Sequence, residues 1–86
     1  MNSNQTKTLK AIFSVPVRSD LKWIEIEAFL KHLGARIQQG NGSRVRVFLN
    51  GKVGSFHEPH PTNREVCKCT VKAVRDFLEN AGIRLS

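Results

Sequence analysis

The stretch SRVRVFLNGKVGSFH, residues 43–57, decides the fold. Arg44 and Arg46 alternate with Val45, Val47 and Leu49, the period of two that sends successive side chains to opposite faces of a strand. Asn50 and Gly51 follow, the dipeptide best suited to positive φ at both central positions of a two-residue hairpin turn. A loop of that length fixes the register: Leu49 faces Lys52, Phe48 Val53, Val47 Gly54, Arg46 Ser55, Val45 Phe56, and Arg44 His57. Cross-strand partners share a face. Val45, Val47, Leu49 and Phe56 therefore make an apolar side, while Arg44, Arg46, Ser55 and His57 make a basic and polar one, with Phe48 and Val53 near the turn.

Upstream, Ala35, Ile37 and Gln39 alternate with Arg36 and Gln38 in a short strand over 35–39 that ends at the turn run GNGS. Before it, Ile26, Phe29, Leu30 and Leu33 follow the i, i+3, i+4, i+7 rule with Trp23 one turn earlier, which predicts a helix over 21–33. Ser19 and Asp20 offer cap chemistry ahead of it and Gly34 a stop behind it. His32 reads as a solvated helix residue, and Trp23 as core or hairpin packing rather than a base-stacking platform. At the start, residues 1–8 are polar and expected to be loose, and Leu9, Ala11, Ile12 and Phe13 suit a short helix that stops before Pro16. Downstream, Val71, Val74, Phe77, Leu78 and Ala81 mark one side of a helix over 70–81, with Cys69 or Thr70 at its cap and Gly82 at its end.

Both principal helices need a surface on which to bury a stripe, and the apolar sheet side is the candidate. The expected fold is α+β, a two-layer α-β-β-β-α sandwich with a short extra N-terminal helix. Residues 1–8 form a flexible N-terminus and 9–86 a single domain in this reading, because 86 residues leave room for one core.

Fourteen Lys and Arg against seven Asp and Glu give a formal charge of +7, which points to a polyanionic partner, nucleic acid first. No apolar run approaches the roughly 20 residues of a membrane span, and MNSNQTKTLK lacks the apolar core of a secretory signal, so a cytoplasmic protein without a membrane partner is expected. Cys67 and Cys69 are too close in the chain for a bridge between them to stabilise much. With His57 and His60 they offer H-x2-H-x6-C-x-C, a poor zinc spacing, and neither metal nor cofactor is expected.

The segments W-x-E-I-E-x-F-L-x-x-L-G-A from Trp23, G-x-G-S from Gly40, the hairpin, the histidine and proline segment FHEPHP and the closing F-L-E-N-A-G from Phe77 resemble the HicA toxin family over most of the chain. That resemblance implies a fold similar to the double-stranded RNA-binding domain and the toxin half of a type II toxin-antitoxin pair. It also implies an mRNA interferase, that is, an endoribonuclease hydrolase acting on mRNA, with a HicB-like antitoxin as protein partner and no DNA binding by itself. The family's usual active histidine directly follows the serine of a G-S-H segment, and Arg44 stands at that position here. His57, across the hairpin from Arg44, is the candidate replacement.

RNA carries its own nucleophile, the 2′-hydroxyl, and needs a group to take its proton and charges to stabilise the phosphorane. His57 and His60 are the candidate proton carriers. Arg44 and Arg46 are placed to hold the phosphate, Ser43 and Ser55 to hydrogen-bond phosphate or ribose, and Lys52 and Lys68 to add backbone attraction. The alternative function is a non-catalytic RNA-binding module of the same shape.

Overall fold

The computed structural model describes residues 3–40, 42–59 and 64–83. Its elements run α1 (Ser3–Ile12), α2 (Trp23–His32), β1 (Arg36–Gln39), β2 (Arg44–Leu49), β3 (Lys52–His57) and α3 (Lys68–Asn80). The strands form one antiparallel sheet in the order β1-β2-β3. The α+β fold with α-β-β-β-α order is thus the one expected, preceded by the extra N-terminal helix, which begins earlier than expected.

The hairpin has the expected register from Leu49 opposite Lys52 to Arg44 opposite His57. Asn50 and Gly51 carry φ of 51° and 78°, the paired positive values of a type I′ turn. Asn50 does more than turn the chain: its Nδ2 donates to the Ala81 carbonyl at 2.8 Å and pins the hairpin tip to the C-terminal end of α3. There Gly82 N–H reaches Glu79 O at 3.1 Å and Ile83 N–H reaches Leu78 O at 2.8 Å, the two bonds of a Schellman motif.

The apolar sheet side is covered. Val45 and Val47 are fully buried, and Leu49 and Phe56 nearly so, among Trp23, Ile26, Phe29 and Leu30 of α2 and Val71, Val74, Phe77 and Leu78 of α3. Phe56 meets Phe77 edge-on at 5.8 Å between ring centroids and lies 6.4 Å from Trp23, so Trp23 is core, as expected. Gly54 faces the same layer, where a Cβ would stand 2.8 Å from both Phe56 Cζ and Phe77 Cδ1. The missing side chain is what lets the two rings meet.

Three helix starts differ from the sequence expectation. α1 begins at Ser3, although residues 1–8 were expected to be loose and the helix to begin near Leu9. Its inward stripe uses polar residues early: Thr8 is buried with Leu9, Ala11 and Ile12, and Gln5 one turn before is half-buried. Arg75 closes the other end, with Nε donating to Ile12 O at 3.1 Å, Nη2 to Ser14 O at 2.7 Å, and the guanidinium 5.9 Å over the Phe13 ring.

α2 begins at Trp23, with Lys22 at its cap position. Asp20 does not cap it because it stands two residues before the cap position; its carboxylate accepts from Arg18 at 2.8 and 2.6 Å, and that hydrogen bonding holds the carboxyl below its usual range. Glu25 Oε1 instead accepts from Lys22 N–H at 3.2 Å. α3 begins at Lys68 with Cys67, not Cys69 or Thr70, as its cap residue. The chain entering α3 pairs back on the chain entering α2, with Val66 N–H bonded to Leu21 O at 2.9 Å and Trp23 N–H to Arg64 O at 3.2 Å. No described helix is long and apolar enough to cross a membrane.

Candidate functional site

Among the described residues none forms a layer over the second sheet face. β2 contributes Arg44, Arg46 and Phe48 to this face and β3 contributes Val53, Ser55 and His57. The β1 register, with Gln38 opposite Arg46 and Arg36 opposite Phe48, adds Arg36 and Gln38. All eight of these residues are exposed. Three are arginines and none is acidic, so the face is a cationic surface built on a rigid ladder.

Arg44 and His57 are Cα partners at the open end of the hairpin, opposite the turn. Around them the surface divides into two adjoining depressions. A groove of about 560 Å³ is lined by Gln38, Gln39, Gly40, Arg44, Arg46 and Ser55. A cavity of about 350 Å³ is lined by Ser43, His57, Glu58, Pro59, Glu65, Val66, Cys67 and Thr70, where the end of β3 approaches the start of α3. The first carries the guanidinium groups suited to an anion, and the second carries the imidazole.

Hydrogen bonds fix the wall between the two depressions. Glu58 is buried at 7 % exposure; its N–H donates to Ser43 O at 2.7 Å, and its Oε2 accepts from Gln39 Nε2 at 3.2 Å. Gly40 N–H donates to Arg44 O at 2.8 Å. The residues flanking Arg44 and His57 are thereby tied to β1, which removes slack from the pair.

The sequence candidates fare differently. Ser43, Arg44, Arg46, Ser55 and His57 come together at these two depressions. Lys52 does not join them: opposite Leu49, it belongs to the alternate side of the hairpin, exposed beside the turn. Lys68 is exposed as the first residue of α3, next to the cavity-lining Cys67. His60 lies outside the described residues.

Residues of the face and its two depressions that the sequence did not single out for the site include Arg36, Gln38, Gln39, Glu58, Glu65, Cys67 and Thr70. Arg36 was legible in principle, since its alternation with Gln38 was visible and only its register with β2 was missing. The Cys67 thiol is held below its ordinary value, chiefly by the hydrogen bond to the Thr70 hydroxyl at 3.3 Å and next by the Thr70 backbone N–H. Both cysteines are free and exposed. Among the described residues no three His, Cys, Asp or Glu side chains gather at one point.

A protein-family model described as "HicA toxin of bacterial toxin-antitoxin" matches residues 23–83, from the first residue of α2 to just beyond α3. Comparison with curated proteins and with solved structures finds no significant match.

Proposed function

Because the chain belongs to the HicA toxin family of bacterial toxin-antitoxin systems, we propose that it is an mRNA interferase, a metal-independent endoribonuclease that works from the Arg44–His57 pair. The observation that carries this reading is the pairing of an imidazole with a guanidinium on an uncovered sheet face bearing three arginines and no acid. It supports His57 in the role that the family's G-S-H histidine fills, from the neighbouring strand.

In this mechanism His57 takes the proton of a 2′-hydroxyl, whose oxygen attacks the adjacent phosphorus. The bond to the 5′-oxygen breaks, leaving a 2′,3′-cyclic phosphate and a 5′-hydroxyl end. Arg44 and Arg46 neutralise the charge that accumulates on the phosphoryl oxygens, where planar donors act most strongly. Ser43 and Ser55 orient phosphate or ribose, and Lys52 and Lys68 add attraction at longer range. His60 supplies the proton to the leaving oxygen in the reading from sequence.

A toxin of this kind has an antitoxin, here a HicB-like protein presenting an acidic surface to Arg44, Arg46 and His57, and it acts in the cytoplasm. The test is cleavage of single-stranded RNA by the purified protein in chelator. Wild type leaves 5′-hydroxyl ends, and His57→Ala slows the reaction by about 10²–10⁴-fold with an unchanged melting curve. Equal rates for wild type and His57→Ala refute the catalytic assignment. RNA binding with steep salt dependence and no cleavage by wild type identifies a non-catalytic module instead.

A further inference from the structure

We propose that Phe48 and Val53, with Arg36 beside them, form a shelf on which one base of single-stranded RNA stacks, two ladder steps from Arg44 and His57. The inference rests on the RNA-processing reading and adds to it a base-stacking subsite for the single-stranded substrate. The open face is three parallel rows: Arg36, Phe48 and Val53 in one, Gln38, Arg46 and Ser55 in the next, Arg44 and His57 in the last. Same-face rows are two residues apart, about 7 Å, so the shelf stands roughly 13 Å from the reacting row.

Phe48 and Val53 are 37 % and 61 % exposed, the apolar part of a face that is otherwise polar and cationic. A single exposed apolar residue is ordinary, but here two are cross-strand partners and an arginine stands on the far side of the aromatic one. Aromatic faces interleaved with cations are the surface that single-stranded nucleic acid recognises, its bases stacking while its phosphates pair with guanidinium groups. A duplex keeps its base faces covered and cannot use the ring. Between shelf and reacting row lies the groove lined by Arg44, Arg46, Ser55 and Gln38, a cationic path for the intervening sugar-phosphate. Arg36 adds either a phosphate contact or guanidinium stacking on the same base.

The experiment measures binding in a His57→Ala background, where no cleavage intervenes, using a short labelled RNA single strand and the blunt duplex of the same sequence. Phe48→Ala weakens single-strand binding about fivefold or more and leaves duplex binding and the salt slope unchanged. Phe48→Trp restores the affinity, whereas Arg46→Gln lowers the salt slope by about one. An abasic residue moved along the strand reproduces the Phe48→Ala loss at one position only.

Should Phe48→Ala fail to fold by its melting curve, Phe48→Leu, which keeps the apolar volume without the ring, serves in its place with the same expected loss. Undiminished single-strand binding by the variant, or equal losses for strand and duplex, overturns the shelf. So does a loss confined to the antitoxin complex, which makes the patch a protein contact. If wild type cleaves RNA while Phe48→Ala is silent, only this inference falls; if the His57→Ala protein binds no RNA of either form, the inference falls together with the reading beneath it.

Discussion

Arg46 and Val47 are neighbours in the chain, yet one lies exposed on a cationic surface and the other is fully buried beneath two helices. The same contrast runs along the whole hairpin, between the face of Val45, Val47, Gly54 and Phe56 and the face of Arg44, Arg46, Phe48, Ser55 and His57. A strand has one backbone and two environments, and a turn that fixes its register assigns every residue to one of them. Stability and surface chemistry are therefore encoded at alternate positions of one 14-residue segment, residues 44–57. Changes on one face should be felt in unfolding, and changes on the other in binding and turnover.

The sharpest attempt to break that division compares Phe56 with Ser55. Phe56→Ala removes a ring packed against Trp23 and Phe77 and should cost about 3–5 kcal/mol, a large part of what a small domain has. Ser55→Ala, one residue away on the open side, should change stability by less than about 0.5 kcal/mol. Urea denaturation of both variants decides it. Equal losses would mean that the covered layer is not held through the hairpin.

A second, smaller effect is expected at Gly54, also on the covered side. The methyl group of Gly54→Ala would collide with Phe56 and Phe77, and the neighbours that must yield are two rings already in contact. Overpacking of this kind costs about 1–3 kcal/mol. Val53→Ala, on the open face, should leave the denaturation midpoint near that of wild type. A neutral Gly54→Ala would show that α3 can lift off the sheet without penalty, and near-UV circular dichroism of the aromatic cluster reports whether it does.

The hairpin was legible from the sequence because its signals are local: alternation, an Asn-Gly turn, and a loop length that leaves one register. The Arg44–His57 pairing followed from those three alone. The start of α1 was not legible, because Gln5 and Thr8 carry its inward stripe and a search for apolar residues stops at Leu9. Nor was the start of α2, which begins at Trp23 with Lys22 at the cap and so leaves Asp20 two residues too early for the role that its chemistry suggests. The cavity beside His57 was the least legible feature. Its lining comes from the turn before β2, the end of β3 and the start of α3, and only the folded chain brings Ser43, Glu58, Cys67 and Thr70 to the same place.

That cavity belongs to neither face, and Cys67 offers the mildest test of where the open face ends. A thiol with a depressed folded value has stability linked to its thiolate, present above the ordinary thiol pKa and lost as pH falls through the lowered one. Below the ordinary thiol pKa Cys67 carries more thiolate than an unperturbed cysteine, so iodoacetamide should alkylate it faster there than it alkylates the Thr70→Val protein, which lacks the hydroxyl partner. Peptide mapping against pH reads this directly, and in Thr70→Val the rate profile of Cys67 should move to higher pH. The modification should leave stability within about 0.5 kcal/mol of wild type, since Cys67 is an exposed residue outside the core. It should nonetheless slow RNA cleavage, because the added group occupies the cavity that His57 lines. Full activity after quantitative alkylation of Cys67 would confine the reacting surface to the sheet, with the boundary at His57 itself.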